Sequence, residues 1–279
     1  MSDVRIDGWL REAEDEALLK ELRRPRLPKS FKTFARPAEI LPEESHQLED
    51  QGPMGSCQGH GIASCTEQLN YIATAGDRTQ LSNIFAYLAT QKIDGLLGSD
   101  RGSTISGGVK LATETGICPL DNAPYPSPVH YPNGNQQRRI LSQANYAAGA
   151  PYKVRASVGI RSHEQALEWI GGGGVLSLGI SWPPRIETIN GRKTATAAAR
   201  RGGGHAIAGL GYRRNGNLIF ANSHNYWLDI TPSAFEAMLR HQWTVCIGLS
   251  DMANPKPRDL SWLKESRLNR LAIKPELWQ

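Results

Sequence analysis

The stretch Gln51-Gly52-Pro53-Met54-Gly55-Ser56-Cys57 decides how this sequence is interpreted. It places a glutamine shortly before a cysteine, in a loop punctuated by glycine and proline. Two further groups follow far downstream, Gly204-His205-Ala206 and then Ala221-Asn222-Ser223. Each group alone carries little information, but together they supply a thiol, a base, a group that orients the base and an amide donor. Gln51, Cys57, His205 and Asn222 are therefore the candidate catalytic residues.

The order and spacing of these groups resemble the papain-like thiol peptidases, in which the histidine and asparagine follow the cysteine by roughly 130–150 residues. Shorter motifs extend the resemblance over about residues 27–250. They are Gly102-Ser103-Thr104, Gly116-Ile117-Cys118-Pro119, Ala123-Pro124-Tyr125-Pro126, Gly174-Val175-Leu176-Ser177-Leu178 and the run from His205 to Tyr212. The resemblance implies an α+β, papain-like fold of two lobes. The left lobe is helical, the right lobe is an antiparallel, β-barrel-like sheet, and the active-site cleft lies between them.

The resemblance also implies a role for each candidate residue. Cys57 is the nucleophile, and His205 pairs with its thiolate and later protonates the leaving amine. Asn222 orients the His205 ring, and Gln51 donates an N–H to the oxyanion. Relatives hold the substrate backbone at the positions of Gly102 and Ser103. The implied function is a thiol-dependent endopeptidase that acts on peptide or protein substrates through an acyl-enzyme intermediate.

Residues 56–75 are predicted to form a helix, because apolar side chains recur at helical spacing on one face. These side chains are Ile62, Cys65, Leu69 and Ile72. Cys57 then lies in the first turn of the helix, where unpaired N–H groups and the helix dipole favour a thiolate. Strands are predicted near 152–158, 175–181, 205–212, 217–222 and 243–249, and residues 183–203 are predicted to be a long loop.

The predicted organisation is an arm, a domain and a tail. Residues 1–26 form a helical arm, with an amphipathic helix over 9–22. Residues 27–250 form the papain-like domain, and residues 251–279 form a C-terminal tail. Within the domain, the left lobe takes in about residues 50–145, and the right lobe takes in about residues 146–250 together with 27–46.

The tail combines basic residues with apolar anchors such as Trp262 and Trp278. Because a papain-like domain does not need such an extension, we expect the arm or the tail to dock on a protein partner. A bacteriophage particle is one assembly that would carry such a component.

The composition argues against several function classes. A net charge of +5 and a pI near 9.1 come from scattered basic pairs that lack the interleaved aromatics of a nucleic-acid platform, so no nucleic-acid partner is predicted. Histidine and cysteine spacings suggest no metal site, and the glycine runs fit no phosphate-binding loop, so no cofactor is predicted. The sequence has no apolar run near the roughly 20 residues of a membrane span.

Targeting and cysteine usage indicate a reducing compartment. Residues 1–24 are charged and lack the apolar stretch of a secretory signal. Met54 stands where many relatives carry a disulfide cysteine. None of Cys65, Cys118 and Cys246 matches the disulfide positions of secreted relatives. We therefore expect reduced thiols and a cytoplasmic site of synthesis.

Two departures from the family pattern leave other functions open. Gln58 replaces the aromatic residue that follows the nucleophile, and His224-Asn225 replaces the Trp-Gly pair that follows the asparagine and serine. In relatives these aromatics shield the histidine–asparagine pair, so one alternative is a catalytically silent domain with a structural or binding role. A second alternative uses the same triad for transpeptidation or amide hydrolysis of cell-wall peptides.

Overall fold

Helices dominate the chain between Cys57 and Gly149, and strands dominate it from Val154 onward. This architecture is that of a computed structural model, which describes residues 9–10, 36–199 and 202–253. The helices in these ranges are α1 (Cys57–Ala73), α2 (Asn83–Ile93), α3 (Ile105–Lys110), α4 (Gly134–Ile140), α5 (Gln143–Gly149), α6 (His163–Gly171) and α7 (Pro232–Leu239). The strands are β1 (Trp9–Leu10), β2 (Ser103–Thr104), β3 (Val154–Gly159), β4 (Val175–Trp182), β5 (Arg185–Ile189), β6 (Arg192–Ala197), β7 (Gly203–Tyr212), β8 (Leu218–Asn222), β9 (Tyr226–Ile230) and β10 (Val245–Met252).

The buried helix α1 connects the two lobes. Its bounds agree with the helix predicted over residues 56–75, and its predicted apolar face is buried except at Ile72, which is 45% exposed. On one side α1 meets α2 closely, because a Cβ on Gly59 would lie only 2.8 Å from the Asn83 carbonyl oxygen and from Tyr87. On another side α1 packs against β7. The N-terminus of α1, which carries Cys57, is therefore held against the right lobe.

Eight strands form the right-lobe sheet in the order β3-β10-β4-β7-β8-β9-β6-β5. The predicted α+β class, with a helical left lobe and a β-rich right lobe, is confirmed, but the sheet differs from the prediction in two respects. It is open rather than closed into a barrel among the described residues, and its β6–β9 pairing is parallel while its other pairings are antiparallel. The central strands β4, β7 and β8 are almost entirely buried, as their continuous apolar sequences require.

Within the segment predicted as a loop over residues 183–203, residues 185–197 instead form a β-hairpin, so that prediction was wrong. Strands β5 and β6 pair in antiparallel fashion around the turn Asn190-Gly191, where both residues have positive φ (51° and 75°). Two consecutive left-handed residues match the right-handed twist of a two-residue hairpin, and Asn-Gly is the pair that favours them. The hairpin extends the sheet beyond β9 and leaves β5 at its edge.

Two segments outside the lobes differ from the prediction or lie beyond the description. Trp9 and Leu10 form strand β1, which pairs in parallel with Ser103 and Thr104, so the helix predicted over 9–22 does not begin at Trp9. Three further segments lie outside the described residues: the remainder of the predicted helix, the pair Arg200 and Arg201, and the tail from residue 254. The segment before the catalytic loop, described from residue 36 onward, meets the right lobe at Ile40. The backbone of Ile40 bridges to that of Tyr212 at the end of β7.

Two buried clusters stabilise the lobes. One joins α1, α2 and α3 to the inner face of the sheet, and it includes Met54 and Phe85. The other lies between the sheet and helices α6 and α7, around Trp169 and Phe235. No disulfide joins any two of the four cysteines, all of which are buried and lie in the described ranges. Within those ranges, no helix has both the length and the apolar character needed to cross a bilayer.

Candidate active site

Side chains from distant parts of the left lobe hold the loop that leads into α1. The N–H of Gly55 donates to both carboxylate oxygens of Asp100, at 3.0 and 3.2 Å. The Tyr125 hydroxyl donates to the backbone carbonyl of Gln51 at 3.0 Å and lies 2.7 Å from the Ser56 hydroxyl. Both contacts tie the loop to segments far away in sequence, so the start of α1 is fixed in position.

Cys57 is the first residue of α1 and is completely buried. It belongs to the same buried cluster as Ala206, the residue after His205. One turn further along α1, a Cβ on Gly61 would lie 3.8 Å from the backbone of Ala206. The N-terminus of α1 thus faces the strand that carries His205, and the positive end of the helix dipole favours an anion at this point.

The side-chain amide of Gln51 is fixed at both of its ends. Its Nε2 donates to the Met54 carbonyl at 2.7 Å, and its Oε1 accepts from the Ser223 hydroxyl. The backbone N–H of Gln51 also donates to the Ser223 carbonyl at 2.8 Å. An amide nitrogen carries two hydrogens, so the bond to Met54 leaves one N–H of Gln51 for another acceptor.

His205 and Asn222 form the hydrogen bond that the motifs predict. His205 Nε2 lies 3.0 Å from Asn222 Oδ1, and both residues are buried. Because an amide oxygen only accepts, Nε2 carries the proton of the neutral ring. The other nitrogen, Nδ1, has no hydrogen-bond partner among the described residues. His205 therefore presents an unprotonated Nδ1 that can exchange a proton with a thiol.

Two aromatic rings flank the imidazole of His205. The ring of His224 stacks on it, with centroids 4.7 Å apart and planes 25° apart. The ring of Trp182, at the end of β4, lies 4.5 Å away at 52°. Although His224 stands where relatives carry tryptophan, the histidine–asparagine pair is still enclosed by rings.

The two predicted substrate-binding residues, Gly102 and Ser103, differ in whether their backbone groups are already used inside the left lobe. Both backbone polar groups of Gly102 are used inside the left lobe, since its N–H donates to the Tyr87 hydroxyl at 3.0 Å and its carbonyl accepts from Gln91 at 2.9 Å. Ser103 instead lies in strand β2, whose edge pairs with β1. Strand β1 also contacts β7, so it runs between the two lobes. Strand β1 therefore occupies the edge of β2 that starts at Ser103.

Gln58 connects the nucleophile segment to this edge. Its Oε1 accepts from the Ser103 hydroxyl at 3.0 Å, and the side chain is buried. A Cβ on Gly108 would lie only 1.5 Å from Gln58 Nε2, so a larger residue there would have to displace the amide. The polar residue that replaces the family's aromatic thus supports strand β2.

Burial and nearby rings set the electrostatics of the site. Burial, with smaller effects from His224 and His60, lowers the pKa of His205 to about 3, although the hydrogen bond that His205 donates to Asn222 acts to raise it. An imidazolium at this position consequently needs a nearby anion, and a Cys57 thiolate would supply one. Burial raises the pKa of the Cys118 thiol to about 12 and also raises those of Cys65 and Cys246. These three thiols are therefore poor nucleophiles.

A second group of buried ionisable side chains lies on the other side of α1. Glu67 Oε1 accepts from the N–H of Leu81 at 2.7 Å, and Oε2 lies 3.4 Å from His46 Nδ1. Burial, reinforced by Glu49, raises the pKa of Glu67 to about 8, and burial lowers that of His46 to about 4. At neutral pH this contact therefore joins two neutral groups rather than an ion pair.

The structure brings Gln51, Cys57, His205 and Asn222 to the junction of α1 with β7 and β8. It adds contacts by four residues to which the sequence pattern gave no role in the site, namely Asp100, Tyr125, Ser223 and Trp182. Ser223 follows Asn222 directly, so the motif around Asn222 already placed Ser223 near the site. The contacts of Asp100, Tyr125 and Trp182 form only in the folded chain.

Comparison with solved structures assigns the fold. Xylellain, a cysteine protease from Xylella fastidiosa, superposes with a TM-score of 0.67 at 18% identity, over 90% of this chain and 99% of that one. Digestive procathepsin L 3 of Tenebrio molitor larval midgut gives 0.57 at 14% identity, over 85% and 79% of the two chains. The Carica candamarcensis cysteine protease CMS1MS2, in complex with E-64, gives 0.51 at 16% identity, over 77% and 99%. No family model and no curated protein matches the sequence. The fold is therefore that of the papain-like cysteine proteases.

Proposed function

We propose that this protein is a thiol-dependent endopeptidase with Cys57 as nucleophile, His205 as acid and base, Asn222 as the residue that orients His205, and Gln51 as an oxyanion donor. The observation that carries the proposal is the 3.0 Å bond between His205 and Asn222 beside a Gln51 amide fixed by Ser223. These groups come from different elements, and their meeting beside the N-terminus of α1 is what acyl transfer to a thiol requires.

Acylation begins when the Cys57 thiolate attacks the peptide carbonyl carbon and a carbon–sulfur bond forms. The carbonyl electrons move to oxygen, and the free N–H of Gln51 together with the backbone N–H of Cys57 stabilises that oxyanion. Collapse of the tetrahedral intermediate breaks the carbon–nitrogen bond, and His205 gives its Nδ1 proton to the leaving amine. The bond from Nε2 to Asn222 keeps the ring in the required tautomer throughout.

Deacylation uses water as the nucleophile. His205 is then neutral, and its Nδ1 accepts a proton from the water that attacks the thioester carbonyl. The same oxyanion donors stabilise the second tetrahedral intermediate. Breaking the carbon–sulfur bond releases the carboxylic acid product and restores the thiolate and imidazolium.

Substrate would bind as an extended strand on the edge of β2, starting at Ser103. Strand β1 occupies that edge in the structure and lies against β7. We infer that the N-terminal segment has to leave β2 before a substrate strand can pair there. This competition involves main-chain hydrogen bonds, so it does not require a particular side chain in the substrate.

Hydrolysis of a quenched fluorescent peptide library under reducing conditions tests the proposal. Wild-type protein should cleave internal peptide bonds, and Cys57→Ala should lose at least about a thousandfold in kcat while its thermal unfolding stays unchanged. Mass spectrometry of the products identifies the cleaved bonds. Equal turnover by both proteins would refute the proposal, because no other thiol lies at this junction.

A catalytically silent binding domain is the second candidate, and the observation that favours it is the complete burial of Cys57 beside an occupied β2 edge. Thiol reactivity separates the two, since a silent site should label no faster than an ordinary free thiol. An amidase or transpeptidase on the same triad would show itself through products formed with added amine nucleophiles.

We further propose a reducing, cytoplasmic site of synthesis, which the absence of disulfide bonds among the four cysteines supports.

We also propose that the arm or the C-terminal tail docks on a protein partner, with a phage particle as the assembly to examine. Light scattering of the full chain and of a chain ending at Ser250 tests it. Two monomers of equal stability that co-purify with no partner would refute it.

A further inference from the structure

The rings around His205 come from the end of β4 and from the turn between β8 and β9, and they contact each other. The centroids of Trp182 and His224 are 5.8 Å apart with an edge-on geometry of 76°, so the three rings form a closed set of mutual contacts. Edge-on and offset arrangements at these distances are the favourable ones for aromatic pairs. Together the rings wrap the imidazole beside its bond to Asn222.

The sheet register explains how Trp182 reaches the histidine. Ile180 of β4 lies directly opposite His205 of β7, and Trp182 lies opposite Gly203. Residues two apart on a strand share a face, so Trp182 is a diagonal neighbour of His205 on the same face. Gly203 offers no side chain there, and an indole is large enough to span the diagonal. Trp182 is only 4% exposed, so its ring fills this space instead of pointing into solvent.

The contacts of His224 are those of a stacked ring rather than a hydrogen-bonding histidine. Its Nε2 is buried and has no hydrogen-bond partner among the described residues. Its backbone N–H donates to Asn222 Oδ1 at 3.2 Å, the same oxygen that accepts from His205. The backbone therefore places the ring, and the side chain contributes a flat surface against the imidazole.

Burial, rather than the surrounding charges, favours a neutral His224 ring. Burial lowers its pKa first of all, the ammonium of Lys193 on β6 lowers it further, and Asp50 in the neighbouring loop raises it. His60 on α1 and Tyr226 on β9 also face this group. A neutral His224 leaves His205 as the ring that carries the proton when Cys57 is a thiolate.

We propose that Trp182 and His224 are positioning residues that together replace the family's single tryptophan: Trp182 excludes water from the His205–Asn222 bond, and His224 holds the imidazole plane by stacking. The inference rests on the proposed function, because it assigns the role through His205. In this proposal, Trp182 at the end of β4 takes the role that a tryptophan in the position after Ser223 has in relatives.

The test compares kcat, KM and the pH profile of kcat for Trp182→Ala, Trp182→Phe and the double variant Trp182→Ala/His224→Trp. Trp182→Ala should lower kcat by on the order of tenfold to a hundredfold while KM stays within about twofold, because a misplaced base affects the reaction more than binding. Its alkaline limb should move to higher pH, since burial is the main cause that lowers the pKa of His205. Trp182→Phe should stay within about fivefold of wild type, and the double variant should recover most of the lost kcat.

Matched controls distinguish positioning from folding. Trp243→Ala removes a half-exposed tryptophan from the turn before β10 and should change neither kcat nor the pH profile. If Trp182→Ala does not fold, His224→Phe and His224→Ala carry the test. Stacking predicts wild-type kcat within about fivefold for phenylalanine and a loss of about tenfold or more for alanine.

Two results would overturn the inference in an active wild-type enzyme. One is an unchanged kcat and alkaline limb in folded Trp182→Ala, and the other is equal kcat for His224→Phe and His224→Ala. Failure of the proposed function looks different, because the wild-type protein would then cleave no peptide and Cys57→Ala would match it. In that case the positioning role falls together with the proposed function.

Discussion

Ser223→Ala tests the geometry of the oxyanion site without removing any group that touches the substrate. The change deletes the hydroxyl that donates to Gln51 Oε1. It retains the backbone bond from Gln51 N–H to the Ser223 carbonyl and the bond from Gln51 Nε2 to Met54. The perturbation therefore loosens the orientation of one amide and leaves the loop in place.

The size of the effect follows from burial. Ser223 is 7% exposed and Gln51 is fully buried, so water cannot easily replace the lost donor. An unsatisfied buried acceptor costs about 1–3 kcal/mol, and part of this is relieved when the amide rotates. We expect about 1–2 kcal/mol to appear as lost transition-state stabilisation, which is a fall of roughly fivefold to thirtyfold in kcat. Gln51→Ala removes the donor itself and should cost about 10²–10³-fold.

The assay is a double-mutant cycle on one cleaved peptide, with kcat and KM measured for the two single variants and the double variant. Because Ser223 acts through Gln51, the double variant should be no slower than Gln51→Ala. KM should change little in any of the three variants. Full activity in Ser223→Ala, or independent and additive losses in the double variant, would refute the assignment of Gln51 as an oriented oxyanion donor.

Three further predictions concern stability, access and redox state. Glu67→Gln should increase the free energy of unfolding at pH 8 by roughly 2–4 kcal/mol relative to its effect at pH 4. Wild-type Glu67 stays protonated in the fold up to about pH 8, because burial raises its pKa, whereas in the unfolded chain it ionises above the ordinary pKa of 4.5. A pH-independent effect in urea titrations would contradict this. Proline at both Trp9 and Leu10 removes N–H donors from the pairing with β2 and should raise initial peptide hydrolysis by about fivefold, whereas valine at both positions should not; equal rates would show that β1 does not restrict access. Unfolded, non-reduced protein should titrate with four thiols, and a count of two would reveal a disulfide.

Local sequence patterns predicted the features that depend on local rules. The helical spacing of apolar residues gave α1 to within two residues at its end, because one face of that helix is buried. Continuous apolar runs gave β4, β7 and β8, since both faces of these strands are covered. The link between His205 and Asn222 was predicted from the family motifs, and the structure places the two side chains in hydrogen-bond contact.

The hairpin β5–β6 was missed because its strands carry few apolar residues. Arg185 and Arg192 are exposed, and the hairpin lies at the sheet edge, so periodicity gave no signal. The pair Asn190-Gly191 was the local sequence signal for this hairpin, because Asn-Gly favours a two-residue hairpin turn even where the flanking strands are polar. Strand β9 was missed for a related reason, because its five residues mix aromatic, apolar and charged types.

The contacts that complete the site could not be predicted from local patterns. Asp100 reaches Gly55 and Trp182 reaches His205 only after the lobes fold, and no spacing rule relates these pairs. The replacement at His224 suggested a lost aromatic shield, yet the ring of His224 stacks on His205 and Trp182 adds a second ring. This is the basis of our proposal that Trp182 on β4 takes over part of the role of the replaced tryptophan.

The most direct measurement is the relative rate at which iodoacetamide modifies the four cysteines at about pH 6, mapped by peptide mass spectrometry in the full chain. A thiolate at the N-terminus of α1 and beside His205 should react first, while burial holds the pKa of the Cys118 thiol near 12. We predict that Cys57 is modified more than about a hundredfold faster than the other three, and that His205→Ala removes most of this advantage. Equal rates at all four cysteines, or an unchanged Cys57 rate in His205→Ala, would contradict an active thiolate–imidazolium pair.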